Sequence, residues 1–384
     1  MKVIVIGAGI AGLATAKNLA DSGWQVEVLE KFRGPRASGY MVDFFGPGYD
    51  AAEKMGVLPE LQARAYSVQE VAYVNRKGHT TGRLSYARFA DAVDGRLMSI
   101  MRPDLEEALR ESLPASVRLR YGVTFEQIEN NDNGVCVHTS DGRRVDADLV
   151  IGADGIHSAV REAVFGPESR YIDYLGFHTA AFTFEDPVMK DRVSGRFALS
   201  DTKNRQIGLY GLRDSRVAAF LIHRNASPAL PANRRESLRN EFSGVGWLAP
   251  RALDQAPADL YYDVVAQIHM EQWHSGRVVL VGDACQAVSL LAGQGASLAV
   301  AGARILSNHL AESASIAEGL AAYEEQWMPV AREKQEAGRR AARWFLPSSG
   351  PELLLRRLML KLSGLPLINR FIGTSLAGKA VPVS

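Results

Sequence analysis

Gly7-Ala8-Gly9-Ile10-Ala11-Gly12 follows the β-branched run Val3 to Ile6 and opens a stretch with apolar residues at helical spacing, Ile10 to Ser22. Three glycines in that context suit a strand turning tightly into a helix. The first permits the turn, the second lets a pyrophosphate reach the backbone, and the third lets helix and strand pack closely. The helix N-terminus then offers phosphates its free N–H groups and the positive end of its dipole. Glu30 closes a second apolar run, Val26 to Leu29, eighteen residues beyond Gly12. A carboxylate there can take a ribose hydroxyl pair and disfavours a 2′-phosphate. Gly7, Gly9, Ala11, Gly12, Glu30 and the adjoining Lys31 are therefore nucleotide-binding candidates, and the nucleotide is FAD or NAD. A second constellation separates these two. Gly282-Asp283 ends the run Val278 to Val281, and Gly293-Gln294-Gly295-Ala296 precedes a long apolar helix. A carboxylate at a strand end can hold a polyol, and a helix start offers N–H groups to an electron-rich ring edge. A ligand reaching both sites carries adenosine at one end and a ribityl-linked ring at the other, which describes FAD. Gly152-Ala153-Asp154-Gly155, with Ser158 and Arg161, repeats the strand-turn-helix form and makes Asp154 a further candidate.

The elements that must position these residues are of two kinds. Val3 to Ile6, Leu149 to Ile151 and Val278 to Val281 read as parallel strands buried on both faces, each running into a glycine-rich turn and a helix. Leu97 to Met101 reads as a strand, Pro103 to Leu113 as a helix, and Thr124 to Ile128, Val135 to Thr139 and Arg144 to Ala147 as a meander. Asn133-Gly134 and Asp141-Gly142 supply its turns. From about Gly176 to Tyr262 the pattern changes to alternating strands, Phe177 to Phe184, Gly195 to Leu199, Ile207 to Leu212 and Val217 to His223, as in an antiparallel sheet. Helices are expected from Gly295 to Leu310 and onward to about Phe345, with Leu-rich helical spacing again after Pro351. The expected fold is α/β: a Rossmann-type FAD-binding domain with a mostly parallel sheet, a second domain whose antiparallel sheet covers the flavin, and a C-terminal helical segment. Residues 1–68, 99–170 and 275–345 form a discontinuous FAD-binding unit in this reading, residues 69–98 and 171–274 a substrate unit, and residues 346–384 the tail.

Composition excludes several classes of function. Lys and Arg number 44 against 43 Asp and Glu, a net charge of +1, with no basic block to track a nucleic-acid backbone. Two cysteines without a CxxC exclude a disulfide framework and a zinc ribbon, and fit the reducing cytoplasm. Histidines such as His178, His223, His269 and His274 show no metal-ligand spacing, so no metal is expected. Ala284 to Ala303 carries no charge, but its glutamines, serines and glycines suit a ligand loop running into a buried helix rather than a membrane span.

The three glycine-rich motifs, in this order and at these separations, resemble the single-component (class A) flavoprotein monooxygenases, the para-hydroxybenzoate hydroxylase group. Arg36-Ala37-Ser38-Gly39, followed by Asp43, is most similar to the tetracycline-inactivating flavin monooxygenases. The resemblance runs from Met1 to about Ala342. It implies that Arg36 faces the nicotinamide cofactor, that Asp43 and Arg102 contact FAD, that Asp283 binds the ribityl chain, and that Gly293, Gln294, Gly295 and Ala296 run along the pyrimidine edge of the flavin. Three positions depart from the pattern: Cys285 and Gln286 stand where the family has alanine and histidine after Gly-Asp-Ala, and Leu290 where it has proline beside the reactive flavin carbon.

The activity so implied is hydroxylation. NADPH or NADH binds transiently and reduces FAD, O₂ adds at flavin C4a, and the hydroperoxide delivers one oxygen to a hydrophobic aromatic or polycyclic substrate, with tetracycline-like compounds among the candidates. The cofactor carries the hard chemistry, so no protein group is nominated as catalytic. The substrate is expected against the second sheet, with Phe182, Phe184, Phe197, Tyr210 and Phe220 as lining candidates; because residues alternate across a strand, half of such a set belongs to plain core. A flavin oxidase or reductase, and a flavin-containing protein that sequesters its ligand, are the alternatives. A cytoplasmic monomer or homodimer completes the expectation.

Overall fold

The computed structural model describes residues 1–36, 39–91, 93–131, 134–290 and 293–362. Ala37 and Ser38 of the arginine motif and Asn133 of the first meander turn lie outside the described residues. The first sheet has the order His274–Ser275, Val278–Leu280, Leu149–Gly152, Lys2–Ile6, Gln25–Glu30, Arg118–Tyr121. Its pairings are parallel except at the His274–Ser275 edge. Val3, Ile4, Val5, Leu149, Val150, Ile151, Val278 and Val279 have no exposed surface, as the unbroken apolar runs require of strands covered on both sides. Helices Ile10–Asp21 and Gly295–Glu312 lie against each other, and the long helix Ile316–Phe345 packs outside the second of them.

A second sheet of seven strands has the order Tyr261–Ile268, Ile172–Glu185, Arg216–Arg224, Arg205–Gly211, Arg196–Ser200, Glu70–Val74, Thr80–Ser85. The four strands anticipated between Phe177 and His223 are present, but the sheet extends further on both sides. Glu70–Val74 joins Arg196–Ser200 in parallel, the one parallel pairing in this sheet among the described residues. Of the extra strands, Thr80–Ser85 is illegible in the sequence because it is short, polar and half exposed, so no alternation marks it. One face of this sheet, with Phe182, Phe184, Ile207, Leu209 and Leu221, closes over helices Pro187–Val193, Arg234–Phe242 and Ala249–Asp254 in a separate core. The other face looks toward the first sheet. A ribbon of Met41–Phe45 against Leu97–Met101 and a three-stranded sheet of Phe125–Asn131, Gly134–Thr139 and Arg144–Ala147 complete the strands.

Helix Gly350–Leu362 docks on the second sheet through one carboxylate. Asp201, with no exposed side-chain surface, accepts hydrogen bonds from Arg356 Nη2 at 2.9 Å, Arg357 Nε at 2.6 Å and Thr81 Oγ1 at 2.7 Å. Leu354, Leu355, Leu358 and Met359 stay exposed on the far side of this helix. Among the described residues no helix is long and apolar enough to cross a membrane, and Gly295–Glu312, the continuation of the uncharged stretch, is buried in the protein core. Burial pushes the Asp201 carboxyl up, but the bonds from Thr81, Arg356 and Arg357 outweigh it, and its pKa falls below the ordinary carboxylate value. The folded pKa is thus depressed, so the docking energy is present above the unfolded carboxylate pKa of about 4 and is lost as pH falls through the folded value. Limited proteolysis across an acid series is expected to release the C-terminal helix at acid pH before the sheets unfold, and Asp201→Asn is expected to release it at neutral pH.

Candidate functional site

The glycine fingerprint is built on contacts that side chains would forbid. A Cβ at Gly12 would lie 1.9 Å from the Gly7 carbonyl oxygen, and one at Gly7, whose φ is +106°, would lie 2.5 Å from the Ala153 carbonyl oxygen. Gly7 and Gly12 therefore seat helix Ile10–Asp21 on its strand, and neither lines a cavity. Gly9 is different: a Cβ there would meet nothing closer than Glu106 Oε1 at 3.9 Å, so its Cα faces open space. It is also the N-cap of the helix, with no side-chain cap and no acid in the first turn. Free N–H groups beside an open backbone are what a pyrophosphate needs.

Two cavities open from this point. The smaller is bordered by Ala8, Leu13, Glu30, Phe32, Arg36 and Arg110. Glu30 is oriented there by hydrogen bonds from Ala8 N at 2.8 Å and Phe32 N at 2.9 Å. The larger, about 310 Å³, runs from Gly9, Ile10 and Ala11 past Arg102 and Asp283 to Gly293, Gly295 and Ala296, and is roofed by the second sheet. Arg102 sits between the two, its Nε donating to Glu106 Oε1 at 3.1 Å.

Asp283 is exposed on the wall of the larger cavity; the protein crowded around it pushes its carboxyl up through desolvation, with Arg102 pulling it down. A carboxylate held in such a place, with no salt-bridge partner among the described residues, suits a hydroxyl-bearing ligand chain. Gly293, with φ +64° and nothing near its Cβ position, leads into helix Gly295–Glu312, whose start likewise has neither side-chain cap nor acid. Gln294 is the N-cap residue of that helix and is buried. The residues present fit FAD: an open glycine and helix start for the pyrophosphate, a carboxylate beside each sugar position, and a glycine loop with a second helix start at the far end.

Asp43 also lines the larger cavity. Its Oδ1 accepts from Tyr86 Oη at 2.9 Å and Ser99 Oγ at 2.6 Å; burial raises its pKa against these two bonds. The sequence motifs did not mark Tyr86 or Ser99, nor Tyr40 and Tyr261, whose rings lie 6.0 Å from each other, with Phe220 6.0 Å from Tyr40. These residues lie outside any glycine signature and come together only when the ribbon Met41–Phe45/Leu97–Met101 meets the second sheet. Phe197 and Tyr210 pack edge to face at 5.3 Å, and Tyr210 Oη accepts from Met41 N. Phe197, Tyr210 and Phe220 thus face the cavity.

Other candidates stand elsewhere. Phe182 and Phe184 belong to the core on the opposite face of the sheet. Their strand pairs Phe182 with Ala219 and Ala181 with Phe220, so the alternation that turns Phe220 inward turns Phe182 and Phe184 outward. Asp154 borders neither cavity: its carboxylate accepts from Ser158 Oγ and, at 3.1 Å, from Val160 N, and so serves the start of helix Ala159–Phe165, while Ala153, Gly155 and Ile156 reach the larger cavity. Lys31 is exposed, with its ammonium over the Phe32 ring at 5.6 Å. Arg36 borders the smaller cavity, stacked on Phe32 at 4.9 Å. Of the three departures, Cys285 is buried in the main core, Gln286 turns away from the cavity and donates to Leu298 O at 3.3 Å, and Leu290 lines the cavity.

This arrangement of two uncapped helix starts, two carboxylates lining cavities and a roofed apolar cavity fits an FAD-dependent oxidoreductase. The chain belongs to the FAD binding domain family, whose model matches residues 1–337. It is 31% identical to a flavin-dependent monooxygenase of an unknown prokaryotic organism over 348 residues, which cover 88% of each chain. Its fold is similar to that of the tetracycline destructase Tet(55), with 28% identity, a TM-score of 0.83 and coverage of 99% and 98% of the two chains. It is also similar to Klebsiella pneumoniae HpxO complexed with FAD and uric acid, with 25% identity, a TM-score of 0.81 and coverage of 98% and 97%. The protein is a flavoprotein of the class A monooxygenase group.

The two faces of the roof sheet lead to opposite expectations for two phenylalanines. Phe182→Ala is expected to cost about 3–5 kcal/mol of stability in chemical denaturation, as for a fully buried ring, without changing ligand access. Phe220→Ala is expected to cost less and to alter the binding of aromatic ligands, read by quenching of flavin fluorescence.

Proposed function

We propose that this protein is an FAD-dependent monooxygenase that uses NAD(P)H and O₂ to hydroxylate a hydrophobic, phenolic or polycyclic substrate of the tetracycline or fused-ring type. The observation that carries this reading is the larger cavity, which continues from the glycine loop Gly293–Ala296 to a wall of Tyr40, Phe197, Tyr210, Phe220 and Tyr261. A planar ring system is the shape such a wall accepts. The flavin, when bound, supplies the redox and oxygen chemistry.

The chain's own residues bind, orient and exclude water. Gly9 and Ala11 at the helix start hold the pyrophosphate, Glu30 the adenosine ribose, Asp283 the ribityl hydroxyls, and Gly293, Gln294, Gly295 and Ala296 the pyrimidine edge. Arg102, held by Glu106, neutralises charge near the phosphates. Gly7 and Gly12 set the helix in place, Asp154 braces the neighbouring helix that carries Arg161, and Lys31 flanks Glu30. Asp43 stays fixed by Tyr86 and Ser99 at the flavin's edge, and Arg36 meets the transient nicotinamide cofactor. The aromatic wall keeps water from the reacting face, where exposure would waste reducing equivalents as peroxide. In this reading residues 1–68, 99–170 and 275–345 are the FAD unit, residues 69–98 and 171–274 the substrate unit, and the enzyme works in the cytoplasm as a monomer or homodimer. The destructase and urate-bound neighbours support a heteroaromatic or polycyclic substrate.

The test is a panel of tetracyclines, phenols and urate screened for stimulated NADPH and NADH oxidation by the FAD-loaded protein under isotopically heavy dioxygen. Stimulation with one heavy oxygen in the product is expected. Bleaching of the flavin by a panel compound without nicotinamide would make the protein an oxidase or reductase instead. Ligand quenching of flavin fluorescence with nicotinamide oxidation left at background would make it a sequestering protein.

A further inference from the structure

We propose that the outer face of the three-stranded sheet is a binding site for a zinc-type divalent cation, held by Cys136, His138 and Glu129. The sheet's alternation makes this face. Val135, Val137 and Ala147 point into the main core, so Cys136 and His138, between and beyond the valines, point the other way. Register brings the remaining groups alongside: Glu129 pairs with Cys136 from one neighbouring strand and Asp146 pairs with it from the other. The Cys136 Sγ, a His138 ring nitrogen and a Glu129 carboxylate oxygen all lie within 4.8 Å of one another, and His138 Nε2 is 2.9 Å from Glu129 Oε1. One thiol, one imidazole and one carboxylate form a donor set that suits Zn²⁺ or Co²⁺ and is too soft for Mg²⁺ or Ca²⁺.

A second observation is that these donors already converge on a cation. Arg144, opposite His138 in the register, donates from Nε to Cys136 Sγ at 3.0 Å. Its guanidinium also lies 3.9 Å from Glu129 Oε2 and 3.8 Å from Asp146 Oδ1. The Arg144 side chain is 64% exposed, so it can swing out to solvent, whereas Cys136 is only 4% exposed and stays. Asp146, on the rim, is the nearest further oxygen donor once the guanidinium leaves. On binding, the Cys136 S–H bond breaks, its proton passes to solvent, and the sulfur electron pair forms the bond to the metal; no electron changes hands. Because the thiol binds as thiolate, each metal bound releases a proton. The cross-strand arrangement explains why sequence spacing gave no hint: Glu129 and Cys136 stand seven positions apart and meet only through the antiparallel register.

The experiment titrates the FAD-loaded protein with ZnCl₂ by calorimetry and with CoCl₂ by absorption, reading the ligand-field bands to the red of the flavin. The wild-type protein is expected to take up a single equivalent with tetrahedral cobalt bands. Cys136→Ser is expected to abolish those bands, and His138→Gln, at a half-exposed position that leaves the fold intact, to weaken uptake about tenfold or more. Arg144→Gln is expected to tighten uptake, since it removes the competing cation. Absence of uptake in both the wild-type protein and Arg144→Gln, or uptake unchanged in His138→Gln and Cys136→Ser, overturns the proposal. None of these readings depends on the substrate or on turnover, so they stand apart from the monooxygenase reading.

Discussion

Three turns meet where no side chain fits, and the rest of the molecule is arranged around that meeting. Helix Ile10–Asp21 rests against the Gly7 carbonyl because Gly12 lacks a Cβ; Gly7 rests against Ala153 in the third motif; and Gly282 lets its backbone come within 2.6 Å, at the Cβ position, of the Ala11 methyl. The strands that carry these turns, Lys2–Ile6, Leu149–Gly152 and Val278–Leu280, are neighbours in the first sheet. Their C-terminal ends therefore converge on one crevice, the place where an open α/β sheet binds its ligand. Ala11 and Gly282 meet because two parallel pairings put the strands that lead to them two places apart.

That crevice would be only a slot for a nucleotide if the second sheet did not close it. The roof is asymmetric for a reason of strand geometry. Alternate side chains go to opposite faces, and each face found a different partner: three short helices on one side, the cofactor crevice on the other. Aromatic rings occur on both faces. Those meeting helices became ordinary core, and those left facing the crevice became the wall of a cavity. Function on this sheet follows from which part of which face is turned to the crevice, and both faces carry phenylalanine.

The polar groups follow a similar logic. Glu30, Asp43 and Asp283 are carboxylates near a cavity, but each is held differently: Glu30 by backbone N–H groups, Asp43 by Tyr86 and Ser99, and Asp283 by the distant field of Arg102. Buried polar groups normally find partners. Asp283 differs because it is exposed to the cavity rather than buried, and no hydrogen bond from a described residue takes up its carboxylate. Asp154 shows the converse, since a carboxylate in an equally suggestive turn is consumed by the start of its own helix.

Local chemistry made much of this readable from the residues alone. Glycine at positions 7, 9, 12, 293 and 295, acids at 30 and 283, and unbroken β-branched runs report the backbone approaches and burial that a chain imposes on itself over a few residues. They were enough for the parallel sheet, the candidate positions around the crevice and the monooxygenase resemblance. Tertiary structure alone decided which aromatic residues of the second sheet face the cavity, that Tyr40, Tyr86, Ser99 and Tyr261 join the site, that residues 70–85 extend the roof, and that Glu129, Cys136 and His138 share a face. Each of these depends on which distant strand lies alongside and in what register. A shift of one residue reverses every side chain, and nothing within a single segment specifies that alignment.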